Sequence, residues 1–71
     1  MDRIPVPSSY LKSVGHDPVT KILEIEFQDG SIYHYFSVSK IIYDGLMQAA
    51  SHGQFLDIHL KQGGYHYLQI R

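Results

Sequence analysis

The chain contains no cysteine among its 71 residues. It can therefore form neither a disulfide bond nor a thiolate metal site, and cysteine usage leaves the redox compartment undetermined. An excess of charge of one sign is also missing, because six Lys and Arg residues oppose seven Asp and Glu residues, for a net charge of −1 at pH 7. This balance lacks the polyelectrolyte signature of a DNA-binding or membrane-surface protein.

Long hydrophobic runs are absent as well. No segment approaches the roughly 18 apolar residues that a membrane-spanning helix needs, and the first seven residues lack the apolar stretch of a secretory signal. We therefore expect a cytoplasmic, soluble protein that does not contact membranes. With 44% hydrophobic and 18% charged residues, the chain is apolar enough to fold. It is too short for two domains or an enclosed catalytic cavity, and its small core leaves self-association open.

The chain divides into an arm and one domain. Prolines at positions 5 and 7 predict an extended N-terminal arm over 1–8, which leads into a single domain over 9–71. Hydrophobic periodicity and turn residues predict strands over 9–16, 20–27, 32–36 and 65–70. They predict helices over 39–50 and 51–61, with Ser39 and Ser51 as N-caps. The order β-β-β-α-α-β indicates a small α+β fold, an antiparallel sheet with helices packed on one side.

The turn between the second and third strands admits two structures. A two-residue loop of Asp29-Gly30 would place Tyr33 and Tyr35 opposite Glu26 and Glu24, on the solvent face. The tyrosines would then form an exposed aromatic platform.

A three-residue loop over 28–30 is the alternative, with its glycine in the left-handed conformation. It would pair Tyr33 with Ile25 and turn Tyr35 toward the core face as well. In that case His34 would point outward. The accessible functional candidates would then be His34, His66, Lys61 and the bend Ser51-His52-Gly53.

Six tyrosines carry most of the chemical information in this composition. Their rings can stack a nucleobase and donate a hydrogen bond, and stacking single-stranded bases on a sheet contributes about 1 to 3 kcal/mol per base. The same residues also suit half-buried strand positions. The candidate nucleic-acid-binding residues are Lys12, Lys61, Arg71, Tyr33, Tyr35, Tyr65, Tyr67, His34 and His66.

Patterns for catalysis or metal binding are weak. The five histidines form no His-x-x-x-His pair, and no serine lies in a Gly-x-Ser-x-Gly elbow. Glu24 and Glu26 project about 7 Å apart from one strand, but on an exposed face nothing would raise the pKa of either toward that of a general acid. Gly63-Gly64 precedes a strand, where it cannot cradle a phosphate. We expect no catalytic residues, no metal and no cofactor.

The segment Tyr33-His34-Tyr35 belongs to a wider frame that resembles the KTSC domain. That family takes its name from a C-terminal domain of some lysyl-tRNA synthetases, and it also occurs as stand-alone bacterial and phage proteins of about this length. The resemblance covers residues 8–67. The frame consists of Ser8-Ser9, Leu11, Val14-Gly15-His16-Asp17, Thr20, Leu23, Ile25, Phe27, Gly30, Tyr33-His34-Tyr35, Val38, Tyr43, Leu46, Ala49, Ser51, Gly53, Phe55-Leu56 and Leu60-Lys61.

The resemblance implies a small domain without a recognised active site, suspected of RNA binding because of the synthetase context. The middle position of the family's Tyr-x-Tyr motif varies, as an outward-facing residue would, and this favours the three-residue loop. We therefore expect a small non-catalytic binding module with RNA, such as tRNA, as its partner, whose affinity falls steeply with salt. The alternative is a protein-interaction or homo-oligomerising module that uses an open sheet edge.

Overall fold

The computed structural model describes all 71 residues. The chain folds into one antiparallel sheet with helices on one face. This is the small α+β fold that the element order indicates. The strands follow each other across the sheet in chain order. They are β1 (Ile4–Pro5), β2 (Leu11–Asp17), β3 (Ile22–Phe27), β4 (Ile32–Tyr35) and β5 (Tyr67–Gln69). Between β4 and β5 lie α1 (Lys40–Gln48), α2 (His52–Phe55) and a π-helical segment (Leu56–Lys61).

The N-terminal arm contributes a strand that sequence patterning did not predict. Ile4 pairs with Val14 and Pro5 pairs with Ser13, so β1 forms one edge of the sheet. Proline is tolerated there because an edge strand can leave one side of its backbone without ladder hydrogen bonds. Sequence alone indicated an extended arm, and the structure shows that this extended arm is paired.

The β3–β4 hairpin has the three-residue loop. Tyr33 lies opposite Ile25, and Tyr35 lies opposite Leu23. Gly30 adopts a φ of 90°, a conformation that L side chains rarely adopt. The backbone N–H of Phe27 donates to the carbonyl oxygen of Ser31 at 2.9 Å and closes the loop. The register predicted from the family pattern is confirmed, and the two tyrosines face the helices.

Both predicted N-caps are confirmed. Ser39 Oγ accepts the N–H of Ile42 at 3.3 Å, and Ser51 Oγ accepts the N–H of Gln54 at 3.2 Å. The helix α1 ends at Gln48 rather than at residue 50, because the following residue has an extended ψ of 145°. Both helical stretches therefore begin where the serines predict, the first ends two residues early, and the second ends at Lys61 as predicted.

His52 has a structural position rather than an accessible one. Its side chain is only 8% exposed, and its Nδ1–H donates to the carbonyl oxygen of Leu46 at 2.8 Å. The same carbonyl oxygen also accepts the backbone N–H of Ala49, the residue after the helix, at 3.3 Å. The expectation that the Ser51-His52-Gly53 bend presents an accessible histidine is wrong, since this ring caps the end of α1.

The second helix widens after its first turn. The N–H of Gln62 donates to the carbonyl oxygen of Asp57 at 3.0 Å, a spacing of five residues. Leu56 and Leu60 are fully buried in this segment. Lys61, the last residue of the segment, is thereby placed at the end of the helical layer.

The helices cover one face of the sheet, which we call the core face. Alternation along β3 directs Leu23, Ile25 and Phe27 to it, while Glu24 and Glu26 point to the opposite face. The buried apolar cluster comprises Leu11, Val14, Leu23, Ile25, Phe27, Tyr35, Val38, Leu46, Leu56 and Leu60. None of the helices has the length and apolar character that crossing a membrane would need.

Candidate functional site: an aromatic cleft beside Lys61

The helical layer leaves part of the core face open. Between the end of the π-helical segment and the β3–β4 hairpin lies a cleft of about 590 Å³, which we call the aromatic cleft. Five of its ten lining residues are hydrophobic. The lining consists of Ser9, Tyr10, Phe27, Gln28, Asp29, Ser31, Tyr33, Tyr35, Lys61 and Tyr67.

Three tyrosines from β4 and β5 form one side of the cleft. The centroid of the Tyr67 ring lies 5.9 Å from that of Tyr33 and 5.7 Å from that of Tyr35. The strand register explains this grouping, because Tyr67 lies directly opposite Tyr35. Tyr35 is 2% exposed and Tyr67 is 62% exposed. The buried ring therefore supports the cluster, while the exposed ring is open to a ligand.

Lys61 supplies the positive charge of the cleft. Its Nζ donates to Tyr10 Oη at 2.5 Å and lies 3.4 Å from a carboxylate oxygen of Asp57. It also lies 4.9 Å from the ring centroid of Tyr10 and 5.6 Å from that of Phe27, within the range of cation–π attraction. The hydrogen bond to Tyr10 raises the pKa of Lys61 above its ordinary value, so the ammonium group is charged at neutral pH.

The hairpin forms the opposite, polar side. Asp29 Oδ1 accepts the backbone N–H of Ser31 at 2.9 Å and its hydroxyl at 2.7 Å. The hydroxyl and backbone hydrogen bonds from Ser31 hold the pKa of Asp29 below its ordinary value. Gln28 donates its side-chain amide to the carbonyl oxygens of Ser8 and Leu11, both at 3.1 Å, and fixes the hairpin against the start of β2.

The other face of the sheet, which we call the ion-pair face, carries the charges of β3 and β4. Arg3 donates to Glu24 at 2.7 Å, and the Nε2–H of His34 donates to the other oxygen of the same carboxylate, also at 2.7 Å. Glu26 accepts the hydroxyl of Ser13 at 2.8 Å. The side chains of Glu24 and Glu26 are 13% and 12% exposed. The expectation of two solvent-exposed carboxylates is therefore wrong.

Known proteins are similar to this chain in fold and in sequence. The family model of the KTSC domain matches residues 7–70. The chain belongs to the KTSC family. A crystal structure of a KTSC domain protein from Yersinia pestis matches with a TM-score of 0.87 at 35% identity, covering 99% of this chain and 97% of that chain. An uncharacterized protein of Stutzerimonas stutzeri is 37% identical over 99% of both chains.

A longer protein also contains a similar region. A lysine–tRNA ligase of Nostoc sp. is 37% identical over 62 residues, which are 87% of this chain but 11% of the ligase. The chain thus spans a small part of that enzyme. The resemblance to a domain found in lysyl-tRNA synthetases is confirmed, and the shared part is the KTSC domain alone.

The KTSC fold separates the nine candidate residues that the sequence predicts. Four of them, Lys61, Tyr33, Tyr35 and Tyr67, meet in the aromatic cleft. His34 and Arg71 contact the glutamates of the ion-pair face, and Lys12 lines a shallow depression with Arg3 and Glu26. Tyr65 packs against the core, and His66 is exposed. The cations therefore do not converge on one surface.

Six residues of the cleft were not among the sequence candidates, namely Ser9, Tyr10, Phe27, Gln28, Asp29 and Ser31. Tyr10 reaches Lys61 from 51 residues away, a contact that no local pattern reports. Phe27 and Asp29 were interpreted only as a core residue and a turn residue. The sequence did indicate that Asp29 is accessible, because turn residues lie at the surface. The strand that follows it contains the tyrosines. Histidine and carboxylate side chains form no group of three that could hold a metal ion.

Proposed function

We propose that this KTSC domain is a non-catalytic module that binds single-stranded RNA and holds one nucleotide in the aromatic cleft. The observation that carries the proposal is the placement of the exposed Tyr67 ring and the Lys61 ammonium group in one cleft. A ring offers a stacking surface to any base, and an ammonium group attracts a phosphate.

The dimensions of the cleft limit the ligand. Its volume of about 590 Å³ lies within the range of about 300–1,000 Å³ that small-ligand sites occupy. Of its four tyrosines, Tyr35 is buried, Tyr33 is half-buried, and Tyr10 is 41% exposed with its hydroxyl held by Lys61. Tyr67, at 62% exposed, is the ring most open to a base. A single nucleotide therefore fits the cleft better than a run of stacked bases.

The charge of the cleft limits the number of phosphates. Lys61 is the one cation in the lining, and Arg71 pairs with Glu26 on the other face, at 3.5 Å. Affinity for single strands changes with salt with a logarithmic slope of about −0.7 per neutralised phosphate. One phosphate contact gives a shallow salt dependence, in place of the steep one that phosphate contacts by Lys12, Lys61 and Arg71 together would give.

The context of related sequences agrees with an RNA ligand. A region 37% identical to this chain occurs in a protein named a lysine–tRNA ligase. Such an enzyme acts on RNA, as its name states. A domain that accompanies it and carries an open aromatic cleft with a cation is suited to contact the same class of molecule.

An NMR titration tests the proposal. We expect a tetra-adenylate RNA to shift the amide signals of a contiguous set of residues around Tyr67, Lys61 and the β3–β4 hairpin. Tyr67→Ala and Lys61→Gln should each weaken binding by roughly tenfold, because each removes a stacking or phosphate contact.

The matched control is Lys40→Gln. Lys40 pairs with Asp44 at 2.8 Å on the exposed surface of α1 and does not line the cleft. This variant has the same charge change and should bind the RNA as tightly as the original chain. Absence of shifts at low salt, or equal losses in all three variants, contradicts the proposal.

Self-association is a second candidate function, favoured by the free edge of the sheet. All three residues of β5 are exposed, and Leu68 among them is 57% exposed. Ile70, which follows the strand, is 50% exposed. The other edge, β1, is only two residues long and contains Pro5, which discourages pairing. Light scattering over a concentration series tests this candidate, and a constant monomer mass up to millimolar concentration excludes it.

A further inference from the structure

The two sides of the aromatic cleft carry opposite charges. Lys61 lies on the helical side and Asp29 on the hairpin side. Binding a base and a phosphate uses the rings and the lysine but gives the aspartate no role. The carboxylate lies on the cleft lining and forms no ion pair with any residue of the chain.

The structural role of Asp29 uses only one of its two oxygens. Both hydrogen bonds from Ser31 go to Oδ1, which stabilises the turn. Oδ2 accepts no hydrogen bond from the protein. The hydrogen bonds from Ser31 also lower the pKa of this carboxyl, so it is an anion at neutral pH. The cleft thus contains a charged oxygen that is free to accept a hydrogen bond.

This anion restricts what a nucleotide can present to the hairpin side. A phosphate placed there would be repelled, since the one cation of the lining lies across the cleft on the helical side. Arg71, which reaches the carbonyl oxygen of Gly30 at 3.5 Å, pairs with Glu26 on the other face. Hydroxyl groups are the favoured neighbours, because a carboxylate accepts hydrogen bonds from them at 2.5–2.7 Å. The ligand must therefore carry its phosphate toward Lys61 and its hydroxyls toward Asp29.

Both sides border one cleft of about 590 Å³, whose lining includes the ring of Phe27. Lys61 Nζ lies 5.6 Å from the centroid of this ring, and Asp29 follows Phe27 by two residues in the turn. A ribose places its 2′ and 3′ hydroxyls on the side of the sugar away from the 5′ phosphate. In an RNA strand both hydroxyls are free only on the last nucleotide, because every other 3′ oxygen is esterified.

We infer that the aromatic cleft binds a ribonucleotide with a 5′ phosphate and a free 2′,3′-diol, supplied by the 3′ end of an RNA strand. The base stacks on Tyr67, the phosphate contacts Lys61 and the diol donates to Asp29. This inference rests on the proposed function and deepens it, since it names which nucleotide of the RNA occupies the cleft.

Three tetra-adenylates that differ only at the last nucleotide test the inference by calorimetry. One has a free 3′ end, one carries a 3′ phosphate and one lacks the terminal 2′ hydroxyl. We expect the 3′ phosphate to weaken binding by roughly tenfold to a hundredfold, and loss of the 2′ hydroxyl to weaken it by roughly fivefold.

Asp29→Asn supplies the matched variant. The amide keeps an oxygen that can accept from Ser31, so the turn is retained, but it removes the negative charge. In this variant the 3′-phosphorylated strand should bind nearly as well as the free strand. Asp44→Asn, which removes a carboxylate on α1 outside the cleft, should preserve the full discrimination.

The outcomes separate the inference from the proposed function. Equal binding of all three strands, together with loss of binding in Lys61→Gln, overturns the inference and leaves the RNA proposal standing. Absence of binding by every strand overturns both. Adenosine 5′-monophosphate is the last ligand to be tested. If it binds as tightly as the strand with a free 3′ end, the natural ligand of the cleft is a free nucleotide. The RNA proposal then fails, while the contact between the diol and Asp29 stands.

Discussion

The two faces of the sheet exclude water by different means. On the core face, Ile25 and Leu23 are fully buried under the helices. On the ion-pair face, Glu24 and Glu26 are almost as well covered, but by Arg3, His34 and Arg71 rather than by apolar side chains. The same strand therefore contributes to a hydrophobic core on one side and to a charge network on the other.

The difference reflects which segments are available to cover each face. The helices cover the core face except at the aromatic cleft, whereas no helix covers the ion-pair face, which is closed by N-terminal residues together with His34 and Arg71. The backbone oxygen of Asp2 lies so near Gly15 that a Cβ at that position would be only 2.6 Å away. Because the ion-pair face is closed by its own salt bridges, the open end of the helical layer, beside Lys61, is where a ligand finds exposed rings and a charge together.

Truncation of the core face should give the largest effect. We expect Ile25→Ala to lower the free energy of unfolding by about 2–5 kcal/mol, because it removes buried methyl groups and leaves a cavity beneath the helices. Urea denaturation followed by circular dichroism measures this change. Ile41, which is 81% exposed on α1, is the matched control, and Ile41→Ala should change stability by less than about 0.5 kcal/mol. Equal effects of the two variants would contradict the assigned core.

Removal of one charge from the ion-pair face should have an intermediate effect that depends on pH. Burial pushes the pKa of Glu24 upward, but the hydrogen bonds from His34 and Arg3 outweigh it, so the pKa lies below its ordinary value of 4.5. The folded protein therefore binds fewer protons than the unfolded chain in this range. The contribution of Glu24 to the stability of the fold is therefore complete above about pH 4.5, the pKa in the unfolded chain. It is lost as the pH falls through the lower pKa that Glu24 has in the folded protein.

We expect Glu24→Gln to cost about 1–3 kcal/mol at pH 7, since it leaves Arg3 and His34 without their carboxylate. The variant should also lose stability less steeply than the original chain between pH 5 and pH 3. Denaturation at a series of pH values measures both effects. Asp44→Asn, on the exposed surface of α1, should leave the acid limb of the curve unchanged. An acid limb that is equally steep in Glu24→Gln would show that this network does not control acid stability.

Local sequence determined much of the fold. The alternating residues of β3, the glycine of the hairpin and the serines before both helices each act within a few positions, and the structure has the predicted strands and caps. The register of the hairpin required the family pattern as well, because Asp29-Gly30 alone suits two loop lengths. Its confirmation placed Tyr33 and Tyr35 on the core face.

Contacts between distant segments were not predictable from local patterns. Arg3 and Glu24 are separated by 21 residues. The prolines after Arg3 predicted an extended arm but not a strand paired with the sheet. Lys61 meets Tyr10 across 51 residues, so no local pattern places Lys61 in the cleft. Candidate residues could be chosen by type, but their division between two faces follows from tertiary structure.

Removal of one hydroxyl from the core face should have the smallest effect, and it should appear at the opposite end of the pH scale. Burial raises the pKa of Tyr35 above its ordinary value of 10.0, so above that pH the unfolded chain releases this proton more readily than the folded protein does. Stability should therefore fall as the pH rises beyond about 10. We expect Tyr35→Phe to change stability by at most about 1 kcal/mol at pH 7.

Between pH 9 and pH 11 the stability of Tyr35→Phe should decline less steeply than that of the original chain, as measured by denaturation at each pH. Tyr67→Phe is the control, because this ring is 62% exposed. If Tyr35→Phe and Tyr67→Phe flatten the alkaline limb equally, burial does not distinguish the two rings. The expected result is that Tyr35→Phe alone flattens the alkaline limb and Glu24→Gln alone flattens the acid limb. The two faces of the sheet would then respond to pH independently, the core face to alkali and the ion-pair face to acid.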